Sequence, residues 1–63
     1  MTRKDYVVIA QALAELYKDE MQEYQSTLHT SKAEEVISKH LNQNYSNFRI
    51  DKFGDYITKK AGI

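Results

Sequence analysis

Cysteine and proline are absent from this 63-residue chain, and glycine occurs only at Gly54 and Gly62. Without cysteine, neither a disulfide nor a thiolate metal site can stabilise the fold. Turn-rich β architectures depend on proline and glycine, so their scarcity favours helices. A chain of this length forms one domain near the lower size limit for a self-sufficient core. We therefore predict a single all-α domain over residues 1–63, which must pack its helices well or bury surface against another chain.

An excess of charge of one sign is also absent, because nine Lys and Arg balance nine Asp and Glu. No net field therefore draws the chain to nucleic acid or to an anionic membrane. The longest apolar run, residues 7–10, is far shorter than the roughly 20 residues of a membrane span. The early basic residues Arg3 and Lys4 are followed by Asp5, which does not fit a secretory signal. We expect a cytoplasmic protein without a membrane partner.

Apolar residues recur at helical spacing in three segments of the chain. The pattern predicts a bundle-like domain of three helices, a long first one and two shorter ones, at about residues 3–25, 32–43 and 48–61. Thr2 is the expected N-cap of the first helix, with Asp5 in its first turn. Ser31 and Glu34 have the spacing of a capping box, which predicts the start of the second helix. Gly54, inside the third helix, indicates close backbone packing or a kink.

The predicted lengths do not match one another. A first helix of about 23 residues spans about 35 Å, whereas a second of about 13 residues spans about 20 Å. Apolar residues Val7, Val8, Ala12 and Ala14 also lie off the main stripe of the first helix. Some apolar surface of the first helix is therefore expected to stay uncovered, where it would meet a second copy of the chain or a different protein.

Residue patterns typical of catalysis or metal binding are not found. His29 falls in the expected loop, and neither it nor His40 has a second His or a Cys three or four residues away, as helical metal sites require. Asp19 and Glu23 share a helix face, but two acids on an exposed helix form a solvated surface. A body of three short helices leaves little room for a substrate pocket. We predict no enzyme, no cofactor, no metal site and no small-molecule substrate.

Protein binding is the function favoured by the end of the first helix. Tyrosine and methionine are frequent at contact surfaces because they bury a large area and tolerate a wet edge. The predicted contact surface comprises Tyr17, Met21 and Tyr24, with an acidic rim of Asp19, Glu20 and Glu23. The alternative is that the three apolar residues simply pack on the second helix.

Nucleic-acid binding is the second hypothesis. Positive charge is concentrated near the third helix, at Arg49, Lys52, Lys59 and Lys60, and the basic N-terminus could lie close to it. Against this hypothesis, Asp51 and Asp55 lie on the same helix, and the preceding connection lacks the Gly-bearing turn of a helix-turn-helix motif. Cations near a helix end also simply compensate its dipole.

Both ends of the chain carry a further pattern. The sequence begins M-T-R-K-D-Y, continues with Ile9-Ala10, and ends A-G-I. Leu41, Phe48 and Phe53 follow one another at characteristic intervals before that ending. These features resemble small phage and prophage proteins of bacteria. Those proteins begin M-T-R/K-K-x-F/Y, contain an N-P-R-F-D-like turn and end in C-G-I/L/V.

This chain departs from that pattern in three places. Tyr45-Ser46 stands where those proteins have Asn-Pro, and Arg49 stands where they have Asp. The segment between Phe53 and Gly62 is also longer, by about one helical turn. The resemblance implies a phage-borne accessory protein, brings no established activity with it and therefore assigns no functional residue.

Together these inferences predict a phage-type accessory protein that binds and modulates a host or phage protein, as an inhibitor for example. The partner would be another protein or a second copy. Two alternatives stay open, a nucleic-acid-binding accessory protein and a structural protein that self-assembles through its first helix.

Overall fold

The computed structural model describes residues 2–63, which form three helices joined by short connections. They are α1 (Arg3–Tyr24), α2 (Leu28–Asn44) and α3 (Ile50–Ala61). The predicted all-α fold with a long first helix is confirmed. None of the three helices is long and apolar enough to span a membrane.

Side-chain contacts define how the helices are arranged. Tyr6 packs edge-on against Phe48, with ring centroids 5.1 Å apart, and Gln11 donates a hydrogen bond to the hydroxyl of Tyr56 at 3.3 Å. Residue numbers rise together along both helices, so α1 and α3 are parallel. Tyr17 instead contacts Glu34, and Glu20 contacts the start of α2, so α1 and α2 form an antiparallel hairpin.

The first helix begins where the sequence predicts. Thr2 is its N-cap, and the backbone N–H of Thr2 donates to the carboxylate of Asp5 at 3.0 Å. The helix ends at Tyr24, and its C-cap is Gln25, which has a left-handed backbone (φ 54°) and donates its N–H to the carbonyl of Met21. A hydrogen-bonded acidic side chain in the first turn satisfies an N–H and complements the helix dipole.

The predicted start of α2 is wrong. The helix begins at Leu28, with Thr27 as N-cap, rather than at about residue 32, and Ser31 and Glu34 form no capping box. Both side chains face α1 instead: Glu34 accepts a hydrogen bond from the Tyr17 hydroxyl, and the Ser31 hydroxyl lies 3.4 Å from the same group. Ser31 and Glu34 are therefore engaged in a tertiary contact with Tyr17 and are not available to form the predicted capping box.

The third helix, in contrast, begins later than predicted. Its N-cap is Arg49, and its first residue is Ile50. Phe48 precedes the helix and turns into the core, where its ring packs edge-on against Phe53 at 5.1 Å. The helix ends at Ala61, and its C-cap is Gly62, whose positive φ of 74° is the left-handed conformation that glycine adopts most readily.

The core lies mainly between α1 and α3. Its buried apolar residues are Ala10, Leu13, Ala14, Tyr17, Leu41, Phe48, Phe53, Ile57 and Ala61. Leu13 and Ile57 are the most deeply buried large side chains. With 12 residues, α3 spans about 18 Å, whereas the 22-residue α1 spans about 33 Å. Because α3 starts beside the first turns of α1, it ends well before α1 does, and α2 alone accompanies the rest.

Gly54 lies in an unbroken part of α3, so the structure shows no kink there. A Cβ atom added at this position would meet only the Glu34 carboxylate, at 3.6 Å, which is an ordinary contact rather than close packing. The glycine therefore lowers helix stability without a packing benefit.

We expect Gly54→Ala to raise the free energy of unfolding by about 0.5–1 kcal/mol, because alanine restricts the unfolded chain and favours helix. Urea denaturation measures the change. Gly62→Ala is the matched control and should destabilise the protein, since alanine is strained at its positive φ. A loss of stability in Gly54→Ala would show that the backbone at this position is not that of a regular helix.

Candidate binding surfaces

Tyr17 belongs to the interior rather than to the predicted contact surface. The side chain is buried against α2, and its hydroxyl donates a hydrogen bond to a carboxylate oxygen of Glu34 at 2.6 Å. Burial and this bond to Glu34 raise the pKa of Tyr17 above 10.0. The alternative interpretation, packing on the second helix, holds for this residue.

Glu20 is also internal, because it caps α2 from outside that helix. Its carboxylate accepts hydrogen bonds from the backbone N–H groups of Thr30 (2.8 Å) and His29 (3.1 Å). These are first-turn N–H groups that have no partner within the helix. The bond from the Thr30 N–H is the main cause that lowers the pKa of Glu20 below 4.5. Only 8% of Glu20 is exposed, so it is not part of an acidic rim.

The other predicted contact residues remain on the surface. Met21 is 42% exposed and Tyr24 71%, and they continue the stripe of Tyr17 one and two turns further along α1. Leu28, across the turn, is 76% exposed. Asp19 and Glu23 are exposed on the same end of α1. These two acids lie on another face of the helix, since neither is three or four residues from Met21 or Tyr24. We call Met21, Tyr24 and Leu28 the hairpin-end surface.

The sequence did not indicate Leu28, which it placed in a loop. With α2 beginning at Leu28, this side chain is fixed on a helix close to Tyr24. His29, also expected in the loop, lies in the first turn of α2, and its Nδ1 is 3.2 Å from the Glu20 carboxylate. His40 is exposed on α2. No group of three or more His, Asp or Glu side chains within residues 2–63 could hold a metal ion.

The four predicted nucleic-acid contacts do not form one patch. Arg49 and Lys52 lie at the N-terminal end of α3, whereas Lys59 and Lys60 lie in its last turn, about 10 Å further along the axis. The Lys60 ammonium lies 5.7 Å from the centre of the Tyr56 ring. The structure thus divides this set between the two ends of the helix.

Arg49 and Lys52 instead line a groove together with Arg3. This groove runs between the N-terminal ends of the parallel helices α1 and α3 and has a volume of about 580 Å³. Tyr6 and Tyr56 contribute to its walls. We call it the α1–α3 groove. The sequence suggested that the basic N-terminus could lie near the third helix. The parallel packing of α1 and α3 is what brings Arg3 close to Arg49.

Comparison with protein-family models, with characterised proteins and with solved structures finds no match to this chain. Only the surfaces of the protein itself therefore indicate what it binds.

We expect Glu20→Gln to lower the midpoint of thermal unfolding at neutral pH, because an uncharged side chain caps α2 less well. The folded protein holds the pKa of Glu20 below 4.5, so its contribution to stability is present above that pH. The contribution is lost as the pH falls through the lowered pKa. As the pH is lowered, the melting midpoint of the variant should therefore fall less than that of the wild-type protein.

Glu23→Gln is the control, since Glu23 is exposed one turn away. Thermal melts followed by circular dichroism, from neutral pH downwards, compare the three proteins. Equal melting midpoints for both variants at every pH would contradict the capping role of Glu20.

Proposed function

We propose that this protein acts by binding another protein through the hairpin-end surface, without catalysis. One observation carries the proposal: Met21, Tyr24 and Leu28 are exposed together on an end of the molecule that α3 does not reach. Large apolar side chains exposed next to one another are typical of contact sites. Their positions on two hydrogen-bonded helices limit the conformational entropy lost on binding.

The surface fits a partner with an apolar depression that accepts Met21, Tyr24 and Leu28. Asp19 and Glu23 are exposed on the same end of α1 but on a different face, so they add only a longer-range preference for a partner with basic groups. Self-assembly of two copies through α1 is the alternative.

The biological setting comes from the resemblance to phage and prophage proteins. We place the protein in the cytoplasm of a bacterial host, as an accessory protein that modulates a host or phage protein and acts as an inhibitor where it blocks the partner's own contact site. Nucleic-acid binding through Arg49, Lys52, Lys59 and Lys60 is less supported, because these residues lie at opposite ends of α3.

The test compares two double variants as baits in a bacterial lysate, with cross-linking and identification by mass spectrometry. Met21→Ser with Tyr24→Ser alters the hairpin-end surface. Val8→Ser with Leu16→Ser is the control, because Val8 and Leu16 are also about half exposed on α1 but lie on another face.

We expect the wild-type protein and the control to capture the same partner and the hairpin-end variant to lose it. With the purified partner, the Kd should rise at least about tenfold, as is typical for loss of a central aromatic contact. Circular dichroism confirms that each variant is folded. Equal capture by all three proteins would contradict the proposal.

A further inference from the structure

We propose that the α1–α3 groove is a second binding site, which takes an acidic peptide segment carrying an apolar anchor side chain. The groove lies at the end of the molecule opposite the hairpin-end surface. It is therefore independent of the proposed function, and either site could fail without the other.

The rim of the groove is cationic. Arg3, Arg49 and Lys52 line it, and among residues 2–63 no Asp or Glu does. Arg49 makes only a long, exposed contact with Asp51, at 3.4 Å, and neither Arg3 nor Lys52 is ion-paired within residues 2–63. In a chain whose charges balance overall, three cations around one concave surface select an anionic ligand.

The floor and walls of the groove are apolar. Phe48, Phe53 and Ala10 are buried beneath it, and Tyr6 and Tyr56 form half-buried walls. The volume of about 580 Å³ lies within the range of sites that hold a ligand. A ligand that fits both features has carboxylates next to an aliphatic or aromatic side chain, which the floor would accommodate.

Nucleic acid fits the groove less well. Single strands bind by stacking bases on exposed aromatic faces. Here Phe48 and Phe53 are buried and pack edge-on against each other, and the Lys60 ammonium lies near the Tyr56 ring. The buried, edge-on rings of the floor cannot stack with bases, which favours a peptide.

Selection from a displayed library of random peptides tests the proposal. The immobilised baits are the wild-type protein, a groove variant with Arg49→Glu and Lys52→Glu, and a control with Lys18→Glu and Lys59→Glu, which makes the same charge change outside the groove. We expect the wild-type protein to enrich peptides with Asp or Glu next to Leu, Phe or Tyr.

The most enriched peptide is then synthesised with a fluorescent label, and its Kd is measured by anisotropy. The groove variant should bind it at least about tenfold more weakly, whereas the control and Tyr24→Ser should bind it as the wild-type protein does. Circular dichroism establishes that the variants fold.

Three outcomes would overturn the proposal. The first is the absence of acidic peptides among the enriched sequences, and the second is an equal loss of binding in the control, which would indicate non-specific attraction. The third is tighter binding of a labelled oligothymidine than of the selected peptide, with steep salt dependence, which would assign the groove to nucleic acid. None of these results bears on the proposed protein binding through the hairpin-end surface, which Tyr24→Ser tests separately.

Discussion

A carboxylate from one helix caps the next, and the arrangement of the hairpin depends on this contact. Glu20 on α1 accepts the first-turn N–H groups of α2, which have no partner of their own. The positive end of the α2 dipole meets a negative charge. This contact accounts for the start of α2 at Leu28, and so for a turn of only three residues, 25–27, between the helices. The short turn holds Leu28 close to Tyr24.

The second constraint is the shortness of α3. It covers the N-terminal part of α1, where Leu13 and Ile57 are buried, and ends before α1 does. The last turns of α1 therefore have only α2 beside them. Met21 and Tyr24 continue the apolar stripe of α1 at helical spacing, and a longer third helix would bury them. Because α3 is short, both side chains remain exposed. One short helix thus produces both a well-packed core at one end and an apolar surface at the other.

Local signals in the sequence were sufficient for some of this structure. Thr2 and Asp5 predicted the start of α1, and helical spacing predicted three helices. The start of α2 could not be predicted in the same way, because its cap, Glu20, belongs to another helix. Tyr17 and Tyr24 share one stripe, and periodicity does not distinguish the buried residue from the exposed one. The groove beside Arg3 and Arg49 required knowledge that α1 and α3 run parallel.

If the hairpin-end surface binds a different protein, it must be free of a second copy in solution. Light scattering after size exclusion, over a wide range of protein concentrations, measures whether it is free. A surface that is free for a different protein leaves the mass of a single 7.4 kDa chain at every concentration. A stable dimer that dissociates on substitution of Tyr24 would contradict the proposed binding of a different protein and show that the surface is occupied by a second copy.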